Sequence, residues 1–283
     1  MIRFAVPKGH LEEESVRLLE RSGIGVVGRS GLFARTNDPE IELVFVRAED
    51  VPNFVGGGST DLGITGFDLV CERGADVVEL LDLGFGRTKL ALAAPQTSGI
   101  STPSDLKPGL RVATEFPNLT SKYFRQKGIE VEIVRVTGAA EISPLIGVAD
   151  LITDVTETGS TLRLHGLKVV DVIVESTARL IANRGSLREK GEKIGEIKLA
   201  LESVVLSRGR KLVLMNIPEE KLAEIRRIMP GMAGPTVSRV EAATPMLAVQ
   251  AVVEEREVYR VIREAKQIGA RDILVVPIER VVP

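Results

Sequence analysis

The segment from Asp150 to Leu162 combines acidic, hydroxyl and glycine residues in an order that suits an anion. It runs Asp-Leu-Ile-Thr-Asp-Val-Thr-Glu-Thr-Gly-Ser-Thr-Leu, a short apolar strand followed by a turn in which hydroxyl residues surround Gly159. Main-chain N–H groups in such a turn, with the dipole of a following helix, favour a phosphate dianion. The same composition also describes a helix cap rich in serine and threonine, so the residues leave both interpretations open.

Two carboxylates, Asp154 and Glu157, lie at the rim of this turn. Ionised carboxylates repel phosphate, but they accept hydrogen bonds from a sugar diol and can face a metal-bound pyrophosphate. The rim of the turn therefore suits a sugar diol or a metal-bound pyrophosphate.

A second polar group, Pro7-Lys8-Gly9-His10, follows the apolar run Ile2–Val6. Loops at the carboxyl ends of parallel strands are where α/β sheets receive ligands, so Lys8 is either an anion contact or a solvated surface lysine. His10 is of a residue type that can serve as a general acid or base, but the sequence places no carboxylate or nucleophile beside it. His165 is the only other histidine and HExxH and CxxC spacings are absent, which argues against a protein-built metal site.

The elements that must position these residues alternate between strand and helix over residues 1–172. Apolar strands separated by helical segments predict a mostly parallel sheet with both faces covered. Asp61-Leu62-Gly63-Ile64-Thr65-Gly66 is echoed by Asp150-Leu151-Ile152-Thr153-Asp154. This echo favours two similar α/β lobes with a ligand cleft between them.

The pattern changes after Arg208. The strand Lys211–Ile217, a helix from Pro218 that ends at Pro230-Gly231, two strands, a helix over 255–268 and a last strand predict the order βαββαβ. That order is the ferredoxin-like unit. The charged segment Arg184–Leu206 has helical periodicity and is interpreted as a connector.

Composition limits the classes of partner. The 283 residues carry a net charge of −2 and only 4% aromatic residues, which gives no basic surface or stacking platform for nucleic acid. Uninterrupted apolar stretches of membrane-spanning length are absent, and Met1–Pro7 is not typical of a secretory leader, so no membrane association is expected. The single cysteine, Cys71, suits a reducing compartment, and we expect a cytoplasmic protein.

Four motifs together resemble a known family: Pro7-Lys8-Gly9, Asp61 to Asp68, Ala113 to Thr120 and Asp154 to Leu162 occur in the order found in the ATP phosphoribosyltransferases. The βαββαβ tail makes the chain similar to the long form of that family. The resemblance implies two catalytic lobes of periplasmic-binding-protein type and a ferredoxin-like regulatory domain. The expected boundaries are 1–88 for the first lobe, with a return at about 173–205, 89–172 for the second, and 208–283 for the tail.

The resemblance implies an enzyme of L-histidine biosynthesis. It would transfer the phosphoribosyl group of 5-phosphoribosyl 1-pyrophosphate to N1 of ATP and release pyrophosphate, with Mg²⁺ carried by the substrate pyrophosphate rather than by dedicated protein ligands. No general acid or base is assigned, because N1 has a free lone pair. The residues matched to the donor site are Glu141, Asp154, Glu157, Thr158, Gly159, Ser160 and Thr161. Those matched to the ATP site are Lys8, Gly9, His10, Arg47, Asp61, Gly63, Thr65 and Gly66.

Further expectations follow from the same resemblance. Both substrates are polyanions, so cationic residues are expected along the cleft: Arg3, Lys8, Arg47, Arg87 and Lys89. The family usually has arginine where this chain has His10, which puts the phosphate contact of that position in question. L-histidine is the expected inhibitor, at Asn216, Thr236, Ala270 and Asp272, and homo-oligomers (dimer and hexamer) are the expected assembly.

Two other functions remain open from the residues alone. A two-lobed receptor that binds a small ligand without catalysis would share the architecture. A silent regulatory subunit would share the tail, although the complete loop at Gly159 argues against it.

Overall fold

The computed structural model describes residues 1–229, 231–232 and 234–282, and the chain forms two compact units, Met1–Ala200 and Leu201–Pro283. The strands of the first unit are β1 (Ile2–Lys8), β2 (Val26–Ser30), β3 (Phe33–Thr36), β4 (Ile41–Arg47), β5 (Leu62–Gly66), β6 (Val77–Asp82), β7 (Thr88–Pro95), β8 (Arg111–Thr114), β9 (Glu132–Arg135), β10 (Leu151–Thr156), β11 (Leu167–Ser176) and β12 (Ala178–Asn183). Its helices are α1 (Glu12–Arg21), α2 (Val51–Gly56), α3 (Phe67–Arg73), α4 (Pro117–Lys127), α5 (Ser160–Leu164) and α6 (Arg184–Glu189); α7 (Gly191–Ser207) follows.

The first unit contains two sheets, which define two lobes. Lobe 1 has the strand order β2-β3-β4-β1-β5-β12-β6 and includes α1 to α3, and lobe 2 has the order β11-β7-β10-β8-β9 and includes α4 and α5. The chain passes from lobe 1 to lobe 2 between β6 and β7 and returns between β11 and β12. This arrangement confirms the two-lobed architecture predicted from the resemblance. The domain boundaries given there stay a prediction.

The prediction of a mostly parallel sheet was wrong. Parallel pairing is confined to three neighbouring strands of each sheet: β1 pairs with β4 and β5 at the centre of lobe 1, and β8 pairs with β9 and β10 at one edge of lobe 2. The strands β7, β11 and β12 are antiparallel to their neighbours, because the chain enters and leaves lobe 2 on strands that run against the central ones. The hairpin β2–β3, also antiparallel, was not predicted, since exposed Gly28, Arg29 and Ser30 lack the alternation of a half-buried strand.

The echo between residues 61–66 and 150–154 has a structural basis at the starts of β5 and β10. Asp61 N donates to Arg3 O at 2.8 Å, and Arg3 N donates to Asp61 Oδ2 at 2.8 Å. Asp150 N and Arg111 O, and Arg111 N and Asp150 Oδ2, make the same exchange at 2.9 Å. In each lobe an aspartate therefore fixes the register of a central strand against its parallel neighbour.

The second unit contains β13 (Arg210–Pro218), α8 (Leu222–Ile228), β14 (Thr236–Val240), β15 (Met246–Glu254), α9 (Val258–Gln267) and β16 (Arg271–Pro277). Its sheet has the order β14-β15-β13-β16 with antiparallel neighbours, and α8 and α9 pack their buried faces on it. The ferredoxin-like prediction is confirmed. The helix predicted to end at Pro230-Gly231 ends at Ile228, and Pro230 lies outside the described residues.

The structure bears on two expectations about the environment of the chain, one through its helices and one through its cysteine. Within residues 1–229, 231–232 and 234–282, none of the helices combines the length and the apolarity that crossing a membrane requires. Cys71 is a free, half-buried thiol, and burial raises its pKa.

Candidate active site

A cleft of about 1050 Å³ lies between the two lobes. Lobe 1 contributes the carboxyl ends of β1, β4 and β5 and one side of α3, and lobe 2 contributes the carboxyl ends of β8, β9 and β10 and the start of α4. Since successive central strands of each lobe run in the same direction, their loops gather at this edge.

Six of the residues predicted from the sequence line this cleft. Five belong to the set matched to ATP and one to the set matched to the donor: Lys8, Gly9, His10, Arg47, Gly66 and Asp154. Gly9 has a φ of +90°, so the chain turns sharply after β1 and presents Lys8 and His10 at the cleft. The sequence could place these residues correctly because each follows or ends a strand.

Three other residues of the predicted ATP set do not line the cleft. Asp61 lies at the opposite end of β5, about 16 Å from Gly66 at about 3.3 Å per residue. Gly63 faces α2, where a Cβ would approach Val51 Cγ1 to 2.5 Å, and the buried Thr65 hydroxyl donates to Ala48 O at 2.7 Å. The matched motif spans a whole strand, and only its end, at Gly66, reaches the cleft.

Asp61 instead joins the helical connector to lobe 1. Its Oδ1 accepts hydrogen bonds from Lys190 Nζ at 2.8 Å and from Ser186 Oγ at 2.5 Å. Burial raises the pKa of Asp61, but the hydrogen bonds from Lys190, Ser186 and the Arg3 amide outweigh it and hold the pKa below its ordinary value. The aspartate is thus a buried structural anion.

The cations along the cleft differ from those predicted. Arg3, Arg87 and Lys89 do not line it; Arg3 pairs with Glu42 at 3.6 Å and Lys89 with Glu175 at 2.9 Å. Arg73 and Arg135 line it together with Lys8 and Arg47. Arg135 ends β9, a short strand of exposed and half-buried residues that is absent from the sequence prediction, so its position at a strand end could not be recognised from the sequence.

The loop over residues 156–161 follows β10 just beyond the lining residues Asp154 and Val155. Gly159 has a φ of +74° and donates its N–H to Thr156 Oγ1 at 2.8 Å. Thr158 Oγ1 donates to Ser160 Oγ at 3.0 Å, and α5 begins at Ser160. The turn is therefore both a hydroxyl-stabilised cap and an exposed polar loop: Glu157, Thr158, Ser160 and Thr161 face solvent, and none of residues 157–161 lines the cleft.

Asp154 is a half-buried carboxylate at the cleft whose pKa is raised. Burial raises its pKa, the Val155 amide at 2.7 Å lowers it, and the charges of Glu141 and Glu115 raise it further. Glu141 belongs to a single turn that begins after Ala139, whose φ of +51° is uncommon for a residue with a side chain. The described residues hold no group of three or more His, Cys, Asp or Glu able to bind a metal by themselves.

A buried cluster of three threonines supports the floor of lobe 2. Thr153 Oγ1 contacts Thr114 Oγ1 at 2.5 Å and Thr120 Oγ1 at 2.6 Å, which joins β10, β8 and α4. These hydroxyls satisfy one another in the interior, so they fix the strand ends that carry Asp154 and Glu115. Sequence reasoning missed the cluster because its members are distant along the chain.

The residues matched to the histidine site are only partly brought together in the second unit. Asn216 Nδ2 donates to Asp272 Oδ2 at 2.9 Å, and Asp272 has a φ of +51°. Ala270 is buried in the core. Thr236 lies two strands from Asn216, across β15, which is about 10 Å at the usual spacing of strands.

The fold and the cleft together define a class: two-lobed α/β proteins that hold a polar ligand where the strand ends of both lobes meet. The profile of the family described as ATP phosphoribosyltransferase matches residues 47–203, and the profile described as HisG, C-terminal domain, matches residues 207–280. The chain belongs to the ATP phosphoribosyltransferase family.

Similar proteins match over the whole length. An ATP phosphoribosyltransferase of Methanocaldococcus jannaschii is 53% identical over 99% of this chain and 100% of its own length. One of Methanothermobacter thermautotrophicus is 51% identical over 100% of this chain and 99% of its own. Among solved structures, the ATP phosphoribosyl transferase (HisG:HisZ) complex of Thermotoga maritima matches with a TM-score of 0.64 and 30% identity, over 71% of this chain and 99% of that one.

Proposed function

We propose that this protein transfers the phosphoribosyl group of 5-phosphoribosyl 1-pyrophosphate to N1 of ATP, with release of pyrophosphate, as the first step of L-histidine biosynthesis. The observation that supports the proposal most directly is the cleft. Cations of lobe 1 and the half-buried carboxylate of Asp154 on lobe 2, a group able to bind sugar hydroxyls, line it together. Full-length similarity to enzymes of that name supports it independently.

The reaction requires little proton transfer from the protein. The N1 lone pair of adenine forms a bond to C1 of the ribose as the bond between C1 and the pyrophosphate oxygen breaks, and the electron pair leaves with pyrophosphate. The configuration at C1 inverts. Because the reaction redistributes charge but does not require the protein to transfer a proton, the protein contributes mainly orientation and electrostatic stabilisation.

The residues divide between the two substrates. Lys8 and Arg47 serve the phosphates of ATP, with His10 as a shorter and weaker contact than an arginine. Asp154 accepts hydrogen bonds from the ribose hydroxyls, assisted by Glu141, and the loop from Glu157 to Thr161 holds the 5-phosphate once the donor is bound. Arg73 and Arg135 add positive charge where pyrophosphate departs.

Mg²⁺ fits this site as an ion carried by the substrate. The carboxylates of Glu141 and Glu115 raise the pKa of half-buried Asp154, so a cation that arrives with the substrate would be favoured near Asp154, although these residues do not form a metal-binding group by themselves. Bound Mg²⁺ supplies neutralisation of the charge on pyrophosphate. The carboxylates orient the ribose and limit where the cation can lie.

The proposal is tested by pyrophosphate release from the pure, folded protein. Release should require ATP, 5-phosphoribosyl 1-pyrophosphate and Mg²⁺ together, and three reactions that each lack one component are the controls. If the complete mixture releases no pyrophosphate, the enzymatic proposal is wrong. Calorimetry then tests the alternative of a non-catalytic receptor, which should bind a small ligand in the cleft and ignore the phosphoribosyl donor.

Inhibition by L-histidine at the second unit is a further part of the proposal. An amino acid that contacts Asn216, Asp272 and Thr236 would have to span β15 or receive Thr236 from a neighbouring copy, which favours a homo-oligomer. Asn216→Ala should reduce the fractional inhibition at a fixed histidine concentration, measured against the variant's own uninhibited rate. Unchanged inhibition would place the effector elsewhere.

Two remaining expectations belong to the proposal. The first is the division of the chain into lobe 1 (1–88, with a return at about 173–205), lobe 2 (89–172) and a regulatory tail (208–283), and the presence of three separate sheets supports it. The second is a cytoplasmic location, and the free thiol of Cys71 supports it because a free thiol suits a reducing compartment.

A further inference from the structure

Helix α3 of lobe 1 contacts lobe 2 at both of its ends. At its start, the helix contacts Ser176, the buried last residue of β11. The Ser176 hydroxyl donates to Asp68 Oδ1 at 2.8 Å, and Asp68 N donates to Ser176 Oγ at 3.1 Å. The position before the helix leaves no space, since a Cβ at Gly66 would lie 2.2 Å from Asp68 Oδ1. The start of α3 is therefore fixed to the strand on which the chain leaves lobe 2.

At the other end of α3, Glu72 reaches across the cleft floor to the start of α4. Its Oε1 accepts the Asn118 N–H at 3.0 Å and its Oε2 accepts the Leu119 N–H at 2.9 Å. The Asn118 side chain returns a hydrogen bond to Glu72 O at 2.9 Å. Glu72 is only 6% exposed, although it carries a charge.

Glu72 supplies what α4 lacks in its own sequence. The first N–H groups of a helix need acceptors, which a polar residue at the N-cap usually provides. The N-cap of α4 is Phe116, which has no acceptor in its side chain, and the first position is Pro117. A carboxylate from the opposite lobe thus caps the helix and also meets the positive end of its dipole.

Apolar contacts surround this polar link. Leu69 and Cys71 of α3 pack against a buried cluster in lobe 2 that contains Leu90, Phe116 and Leu119. Glu72 lines the cleft, but little of it is exposed, and its two amide partners add directional contacts between α3 and α4 to the apolar packing.

We propose that Glu72 is a positioning residue for the phosphoribosyl transfer, because it fixes the separation of the two walls of the cleft. The proposal rests on the proposed function. The start of α4 and the preceding residues Thr114 to Phe116 line the cleft on the side of Asp154, while Lys8 and Arg47 line the side of lobe 1. Both oxygens of Glu72 are bound by main-chain amides, so it acts through α4 and not on a substrate.

The chemistry makes that separation important. N1 of ATP and C1 of the ribose must approach to about 3–3.5 Å in line with the leaving pyrophosphate, and a misplacement of about 1 Å can lower the rate by about 100-fold. Each substrate, however, binds mainly to one wall. Loss of the link should therefore affect the chemical step far more than the binding of either substrate by itself.

The test compares Glu72→Gln with Asp171→Asn in the full-length protein. Asp171 also holds α4, through Tyr123 at 2.5 Å and Lys127 at 3.3 Å, but it does so from β11 within lobe 2. For E72Q we expect kcat to fall about 10- to 100-fold while the Kd of ATP and of the donor, each measured alone, stays within about twofold. For D171N we expect kcat within about threefold of the original protein.

Amide hydrogen exchange gives a readout that does not depend on activity. Exchange at Asn118 and Leu119 should be faster in E72Q and unchanged in D171N, since only the first variant weakens their acceptors. Unchanged exchange in E72Q would contradict the capping itself. This result stays informative even if the unmodified protein releases no pyrophosphate, in which case it is the proposed function that fails.

Two kinetic outcomes would overturn the positioning role. One is a kcat of E72Q within about threefold of the original despite faster exchange, and the other is an equal loss of kcat in D171N. If E72Q does not fold, Glu72→Asp carries the test, because it keeps the charge and shortens the reach by one methylene. A lowered kcat with unaltered single-substrate Kd supports the role in that variant, and an unaltered kcat overturns it.

Discussion

Strands β5 of lobe 1 and β10 of lobe 2 begin in the same way and end differently. Each starts with an aspartate, Asp61 or Asp150, that exchanges two hydrogen bonds with an arginine main chain on the adjacent parallel strand. At the cleft, β5 ends in Gly66 against a crowded helix start, whereas β10 carries Asp154 two residues before its end and continues into an open loop. One structural unit therefore serves packing in lobe 1 and, under our proposal, donor binding in lobe 2.

The starts of the two strands also differ in what covers the carboxylate. Asp61 has a side chain that is 8% exposed and receives Lys190 from the connector, whereas the Asp150 side chain is 39% exposed and pairs with Arg111 itself, Nη2 to Oδ1 at 3.1 Å. The side-chain and main-chain hydrogen bonds of Arg111 lower the pKa of Asp150. The two strands thus share a main-chain motif, but the surrounding side chains determine how much each aspartate contributes to stability.

The largest expected effect concerns the loop after β10, which we propose binds the donor. In Gly159→Val, the φ of +74° is unfavourable and a Cβ would lie 3.3 Å from Arg163 Nη1. If two hydrogen bonds to charged phosphate are lost, at about 1.5 kcal/mol each, the KM for the donor rises roughly 100-fold. Steady-state kinetics measure it, with Gly128→Val as control, since Gly128 has a φ of +68° in the same lobe and open space around it. An unchanged KM would show that the loop only caps α5.

A second experiment sharpens the difference between the strand starts. Asp61→Asn leaves Lys190 without its buried partner and should lower the free energy of unfolding by about 2–3 kcal/mol, less than a fully buried pair because the Lys190 side chain is 36% exposed. Asp150→Asn removes a more exposed pair and should cost less than about 1 kcal/mol. Urea unfolding followed by circular dichroism measures both. Equal losses would mean that the main-chain exchange, and not the covering side chains, carries the stability.

A third, smaller effect concerns the end of β10. The pKa of Asp154 is raised, so its ionised form is less stable in the folded chain than in the unfolded one, and the cost appears as pH rises above the unfolded value of about 3.9. Asp154→Asn should therefore raise the melting temperature at pH 7 slightly, by the equivalent of about 0.5–1 kcal/mol. The advantage should vanish below about pH 4. A lower melting temperature at neutral pH would contradict it.

The smallest effect is the acid dependence at the strand starts. The pKa values of Asp61 and Asp150 are lowered by folding, so the stability they contribute is present above about pH 3.9 and is lost as pH falls through their folded values. The difference in unfolding free energy between the original protein and Asp61→Asn should shrink below about pH 4. A difference that persists at pH 2 would mean that the lost stability does not depend on the charge.

The sequence predicts the site best where a residue ends or follows a strand. Lys8, His10, Arg47 and Asp154 could be placed at a cleft for that reason, and the tail could be recognised from the order of its elements. Asp61 could not be distinguished from a ligand residue, because its partners Ser186 and Lys190 are more than 120 positions away. The motif that contains Asp61 marks the start of strand β5, whereas the cleft lies at the other end of that strand.

Other parts of the site depend on tertiary contacts that no local pattern contains. Arg135 was missed together with β9, a strand of four residues whose side chains are exposed or half-buried. The cap of α4 was missed because Phe116 and Pro117 give no start signal, and the acceptor, Glu72, lies 46 positions before Asn118. A helix capped from another lobe has no signature in its own sequence.

The hydrogen bond between Tyr123 and Asp171 has a practical consequence for spectroscopy. The chain has no tryptophan and only two tyrosines, so its ultraviolet emission comes from one phenol in each compact unit: Tyr123 in lobe 2 and the exposed Tyr259 in α9. Burial and the Asp171 carboxylate both raise the pKa of Tyr123. Alkaline titration followed by absorbance should therefore show the ionisation of the Tyr123 phenol displaced to higher pH, which gives lobe 2 an optical label without any added dye.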